Sequence, residues 1–242
     1  MASPQEQFVI KPIIQIGIPS LGIDLSYSNS ALFMTLAAAS AFLMFFYGMR
    51  GRHLVPSRWQ MIPEYFHGMI AKMVDQNVGE HGYKYMPAIL CLYLFVLFGN
   101  LLGMIPGGFT FTSQIIITFA MAFAVFLSVL VIGLVRHGWH FFSLFFPSGA
   151  PWWVGIILIP VEVISYLSRP VSLAVRLFAN MTVGHMMLKV VGGFVAMLGV
   201  FGVLPVLFLV SITALEFLIA FIQAYVFAIL TCVYLHEALE LH

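Results

Sequence analysis

Long apolar runs, each about twenty residues or more and nearly free of charge, recur at 31–49, 87–105, 114–135, 160–191 and 205–235. A run of that length spans the ~30 Å hydrocarbon core of a bilayer when wound as a helix. No water is present there to receive backbone N–H and C=O groups, so a helix, which satisfies them within one segment, is the required form. The chain is 62% hydrophobic and 8% charged, whereas soluble domains carry about 25% charged residues. The expectation is an all-α integral membrane protein, a single membrane domain over 1–242. A net charge of +1 supplies no basic surface for nucleic acid, and none is expected as a partner. The start MASPQEQFVIKP lacks a basic segment followed by an apolar one, so insertion is expected through the first span. Cys91 and Cys232 lie in separate apolar runs without a CxxC partner. They read as buried thiols, with no disulfide or metal framework.

The polar segments orient the spans. An outer N-terminal segment, 1–30, precedes the first span at 31–49, which ends in a cluster of Arg50, Arg52 and Arg58. Positive charge in a short loop marks the cytoplasmic side, placing the N-terminus outside. Over 58–82 apolar residues recur at helical spacing (Met61, Ile62, Tyr65, Phe66, Met69, Ile70, Met73), with Glu64, His67, Lys72 and Asp75 on the other face. That is an amphipathic helix on the inner surface. Residues 87–135 form a helical hairpin that turns outside at Pro106-Gly107-Gly108. His137–Pro151, rich in Trp and Phe, suits the inner interface. The runs at 160–191 and 205–235, joined by VGGFVAMLGVFG, would each reach roughly 46 Å as continuous helices. Against ~30 Å of hydrocarbon that excess requires steep tilt or kinks. Five crossings result, with the C-terminus inside.

Within these two long helices a few polar residues stand out. Arg176 interrupts SLAVRLFANMTVGHMML, near the middle of the run 160–191. An arginine cannot shed its proton to ease burial, and a fixed cation near mid-bilayer costs roughly 2.5–3.5 kcal/mol on insertion scales. Snorkelling is difficult from that depth, so a partner carboxylate or a wet path is expected. Glu162, Arg169 and Arg176 follow one another at intervals of seven, on one helix stripe. Ser165, Ser172 and Asn180 lie near the same side; serines also serve close helix packing. His185 is nine residues beyond Arg176, on roughly the opposite face. A lone histidine is more often a packing residue, but Glu216 on the last helix falls at a similar depth in the outer half. Gln223 lies near mid-depth with Arg176, and Glu162 stands at the inner end. An inner and an outer polar set, separated by a fixed cation, suit two half-channels that do not join. Glutamate and histidine exchange protons near neutral pH, and the cation between them blocks direct leakage.

Other classes fit less well. A haem-binding respiratory subunit needs paired histidines within spans, yet His53, His67 and His81 lie in or beside the amphipathic segment. His137 and His140 resemble the start of a metal site but lack a third ligand. No internal repeat marks a secondary transporter. Ser148, in a loop, is no candidate nucleophile, and no catalytic chemistry of the chain's own is expected.

The segments SRPVSLAVRLFANMTVGH and EFLIAFIQAYVFAILTCVYL closely resemble subunit a of F-type ATP synthases, the stator partner of the rotating c-ring. FGNLLGMIPG and DLSYSNSALFM are similar to bacterial and mitochondrial members, so the resemblance covers nearly the whole chain. It implies that Arg176 faces the ionisable carboxylate of the c-ring, with Gln223 beside it and Asn180 one turn on. It places Glu162, Ser165 and Ser172 in an inner half-channel, and His185, Glu216, Asn180 and Gln223 on the outer path. It further implies two tilted helices around the ring, with c-ring and peripheral-stalk b-type partners; sodium-coupled relatives exist and the ion is chosen mainly by the c subunit, proton being the expectation here, with no cofactor or metal. The membrane would be a bacterial plasma membrane or the mitochondrial inner membrane. One departure concerns His185 and Glu216: a well-known bacterial form carries glutamate at the first position and histidine at the second. Gly103 and Gly108 occupy a hairpin that is acidic in some relatives.

Overall fold

The structure, a computed structural model, describes residues 9–14, 17–18, 23–24, 26–51, 57–105, 108–139, 141, 152–198 and 202–240. The described residues form a bundle of six α-helices: α1 (Asn29–Gly48), α2 (Arg58–Val78), α3 (Met86–Gly103), α4 (Ile115–His137), α5 (Trp152–Leu198) and α6 (Val203–Leu239). Five of them, all but α2, are long and apolar enough to cross a membrane. Four short strands near the N-terminus form two antiparallel pairs: β1 (Pro12–Ile14) with β4 (Tyr27–Ser28), and β2 (Gly17–Ile18) with β3 (Ile23–Asp24). The protein is thus an all-α membrane protein with a small β ornament that the apolar pattern did not announce.

Local chemistry sets the helix ends. The Ser28 hydroxyl caps α1 by accepting from the Ala31 N–H, and the Ser57 hydroxyl caps α2 by accepting from the Gln60 N–H. Each satisfies one donor that an isolated helix start leaves open. Gly79 ends α2 at φ 75°, a backbone conformation that glycine adopts without penalty. A 3-10 turn, Glu80–Gly82, then leads into α3.

The core lies where α2, α3, α5 and α6 meet. Ile70, Met73, Val74 and Val78 of α2 share one apolar cluster with Leu94 and Leu97 of α3, Leu177 of α5, and Phe227, Cys232 and Leu235 of α6. The amphipathic α2 is therefore seated on the bundle by the end of its apolar face nearest α3. The other end of that face, Met61, Ile62 and Tyr65, points outward. Cys232 is buried as expected, but Cys91 is exposed on the outward side of α3. Half of α3 faces away from the bundle, and a thiol is apolar enough for a lipid-facing position.

The two long helices exceed the sequence-based limits of 160–191 and 205–235. α5 has 47 residues and runs through Pro160, Pro170 and the Gly192–Gly193 pair, and α6 has 37. Pro and Gly read as punctuation because they break helices in water. In lipid a broken helix has no water to receive its freed backbone groups, so helices continue through such residues. Pro205 sits in the first turn of α6, where its missing N–H costs nothing. At 1.5 Å per residue these helices reach roughly 70 and 55 Å, well beyond an upright crossing. The expected turn at Pro106-Gly107, the positions of Arg52, His53, His140 and Ser148, and most of His137–Pro151 lie outside the described residues.

Between α3 and α4 the chain makes a second 3-10 turn, Phe111–Ser113, and all three of its residues are buried. The Phe111 ring lies directly over Gly99: a Cβ at that glycine would stand 2.4 Å from Phe111 Cζ. Gly99→Ala should therefore lower stability by about 1–3 kcal/mol, the usual cost of overpacking. The check is the thermal midpoint of the detergent-solubilised protein, and Phe111→Leu should recover part of the loss in the Gly99→Ala background.

Candidate functional site

α5 carries polar groups on two sides, and they meet different surroundings. His185 points into the bundle and is buried, with Glu216 of α6 opposite it at 2% exposure. His185 Nδ1 stands 3.5 Å from Glu216 Oε1, and on the other side of the ring Nε2 is 2.8 Å from Thr110 Oγ1. The imidazole is thus held between a carboxylate from α6 and a hydroxyl from the segment that precedes the Phe111–Ser113 turn. Neither Glu216 oxygen accepts a hydrogen bond within range from a described residue. Gly184 makes the approach possible, since a Cβ there would fall 2.8 Å from Glu216 Oε1.

The α3–α4 turn supplies further polar groups to the same region. The Thr112 hydroxyl donates to Asn100 Oδ1 at 2.8 Å, and Asn100 Nδ2 donates to the Ala220 carbonyl of α6 at 3.3 Å. The Thr182 hydroxyl donates to the Ser113 carbonyl at 3.4 Å. Asn100 and Thr112 are fully enclosed, so each needs its partner: an unpaired buried polar group costs about 1–3 kcal/mol. These residues were not singled out in the sequence. The available signals were a lone Asn in an apolar span and the polar run Thr110–Gln114 between two spans.

The opposite side of α5 is open. Arg176, Ser165 and Ser172 are exposed, while Glu162 and Asn180 are half-buried. Arg176 has no hydrogen bond or ion pair with any described residue, and no hydrogen bond joins Glu162, Ser165 and Ser172 to one another. Gln223 is buried at 9% on α6. Arg169 leaves the stripe that heptad spacing drew through Glu162 and Arg176. Its guanidinium turns to α6 and pairs with Glu237, with the rings of Tyr166 and Tyr234 at 5.1 and 5.4 Å. Helical drift leaves it between the other two in angle; its long side chain instead bends toward α6, where a carboxylate and two aromatic faces are within reach.

At the far end of α4, His137 Nε2 donates to the Leu239 carbonyl at 3.2 Å, tying the ends of α4 and α6 together. No group of three or more metal-binding side chains occurs among the described residues.

Five helices able to span a membrane, with a buried histidine–carboxylate contact on one side of α5 and, on the other, a cation that pairs with no described residue, define a polytopic helical membrane protein with strong polar groups inside its spans. Comparison with known proteins narrows the class. The profile of the family described as "ATP synthase A chain" matches residues 31–236. The chain is 54% identical to ATP synthase subunit a of Paramagnetospirillum magneticum over the full length of both proteins. It is 52% identical to ATP synthase subunit a of Rhodospirillum rubrum, again over both full lengths. The ATP synthase subunit a of Rhizobium etli is 48% identical over 98% of this chain and 97% of its own. The chain belongs to the ATP synthase subunit a family, the membrane-embedded Fo component of the ATP synthase complex.

The Thr110 hydroxyl gives one direct test of the local geometry. Thr110→Val keeps the shape but leaves His185 Nε2 without its partner, and should destabilise the protein by about 1–3 kcal/mol. Thr110→Ser keeps the hydroxyl and should stay within about 1 kcal/mol of the parent. Denaturation midpoints of the three proteins in the same detergent decide it.

Proposed function

We propose that this chain is the proton-conducting stator subunit of its complex, forming two half-channels that serve the ionisable carboxylate of a c-ring and couple proton flow to rotation and ATP synthesis. The observation that carries the reading is the division of α5. A fixed cation, Arg176, is presented on the open side with no ion pair or hydrogen bond to a described residue, while His185 and Glu216 are enclosed on the other. A guanidinium at bilayer depth needs an anion, and the open side of α5 leaves room for one from another chain. The c-ring carboxylate supplies it. Within ~4–6 Å the arginine favours the ionised form, so a carboxylate arriving protonated gives up its proton before it passes.

Each set of polar groups then takes one side of the membrane. Glu162, Ser165 and Ser172 lie along the open face of α5 toward the cytoplasmic or matrix side. There a carboxylate attracts protons, and hydroxyls relay them through water. His185 and Glu216, steadied by Thr110, handle protons on the outer side, and Asn180 and Gln223 continue that path toward Arg176. The imidazole and the carboxylate exchange a proton across their 3.5 Å approach. The two paths meet only through the moving c-ring carboxylate, because a fixed cation repels a proton travelling between them directly. In this reading the N-terminus is outside, the C-terminus is inside, and b-type subunits of the peripheral stalk hold the chain against the ring. The same chemistry on a sodium-binding ring would carry sodium, since the ion is chosen mainly at the c subunit. Proton is favoured by the His185–Glu216 pair, which offers an imidazole where sodium would need oxygen ligands.

Arg176→Ala should abolish proton-driven ATP synthesis in membranes that retain the assembled complex. Arg176→Lys should do nearly the same, because lysine keeps the charge but loses the planar fork of donors. ATP synthesis in inverted vesicles, with complex content measured alongside, tests both; normal synthesis in Arg176→Ala vesicles would falsify the assignment.

His185 and Glu216 are expected to act as a pair. His185→Ala and Glu216→Ala should each cut proton flux substantially. The exchange of both residues, His185→Glu with Glu216→His, should recover more activity than either half alone. A coupling of about 0.5–3 kcal/mol is expected for groups in contact. Strictly additive losses in that cycle would mean that the two side chains work independently.

A further inference from the structure

Lys84 and Arg136 stand at the same end of the α3–α4 hairpin, opposite the end that carries Thr110–Ser113. Between them opens a cleft of about 660 Å³. Its rim holds Lys84, Arg136, His81 and Glu80, and its wall is built from Tyr85, Val131, Ile132 and Val135. Both basic side chains are exposed and have no hydrogen bond or ion pair with a described residue. Two cations face one carboxylate, so the rim is net positive when His81 is neutral. The wall continues down α4 away from Arg136, and Val131 and Val135, one turn apart, are 49% and 82% exposed.

A cationic rim at the end of a span, with an apolar wall leading into the span, demands a ligand made the same way. Soluble phosphate would gain from the rim and nothing from the wall. A phospholipid matches both, with its phosphodiester at interfacial depth and its chains in hydrocarbon. Tyr85 lies at the same level, where aromatic side chains favour the headgroup region. Because α1 crosses once and α2 does not cross, this end of the hairpin shares a side with Arg50 and Arg58. Positive charge concentrates on the inner side, and anionic lipids of the inner leaflet draw cations to it. We propose that this cleft is a binding site for an anionic phospholipid, its phosphodiester between Lys84 and Arg136 and one acyl chain along Val131, Ile132 and Val135. The lining of the site includes neither Arg176 nor the His185–Glu216 pair, and the proposal does not depend on the proton-path reading.

The test uses the intact ATP synthase complex in phosphatidylcholine vesicles containing a small share of a photoactivatable phospholipid with a diazirine in its acyl chain. Phosphatidylglycerol and phosphatidylcholine versions are compared, and labelled peptides are mapped by mass spectrometry. Labelling of the segments around Val131–Val135 and Tyr85 should favour the phosphatidylglycerol probe by at least about fivefold, the effect of one net basic charge at an anionic surface. Lys84→Gln with Arg136→Gln should erase that preference, and Lys84→Arg with Arg136→Lys should keep it. Equal labelling by both probes, or a preference that survives the loss of both charges, would overturn the proposal. Displacement of the probe by inorganic phosphate alone would assign the rim to a soluble anion. Lack of labelling, with these segments cross-linked instead to another subunit, would assign the cleft to a partner helix. If the glutamine variant fails to assemble, the comparison of the two probes on the parent complex decides by itself.

Discussion

Hydrocarbon accepts no hydrogen bonds, and nearly every feature of this chain follows from that single fact. Backbone groups in the membrane have only their own helix to turn to, which is why helices here pass through prolines and paired glycines that would end them in water. Side chains are held to the same rule. Asn100 is paired with Thr112 and the Ala220 carbonyl, His185 with Thr110, and Arg169 with Glu237. Arg176 departs from the rule: it has no hydrogen bond or ion pair with a described residue, and its side chain lies on the exposed side of α5.

The same rule explains how much of the molecule could be read from its sequence. Apolar runs and their charged ends were enough for the number of spans and the hairpin, because membrane thickness fixes helix length and basic residues avoid the hydrocarbon. The ends of α5 and α6 were not legible. Pro160, Pro205 and Gly192–Gly193 were read as boundaries, and in lipid the cost of breaking a helix outweighs the local preference of those residues. The β pairs near the N-terminus are too short to produce any alternation in hydrophobicity.

For the site, helix periodicity was enough to put Arg176 and His185 on opposite sides of α5, and one exposed and one buried side chain reflect that separation. Depth along two antiparallel helices brought His185 opposite Glu216. Periodicity could not foresee contacts that join segments distant in sequence. Thr110 reaches His185 across 75 positions, and Arg169 reaches Glu237 across 68. A turn that folds back into the bundle leaves no rhythm in the sequence, and a long side chain such as that of Arg169 can leave the direction of its own stripe to reach a charge on a neighbouring helix.

The Arg169–Glu237 pair has a mechanical consequence. Two rods joined at one point can pivot, whereas rods joined at two separated points keep their angle. α5 and α6 are held by an ion pair at Arg169, and sixteen residues further along α5, roughly 24 Å of helix, His185 and Glu216 pack against each other at 3.5 Å. Side load on one helix is shared by the other, and the crossing angle between them is set by charge as well as by packing. Two rods held at separated points in this way behave as a truss and keep their angle under load.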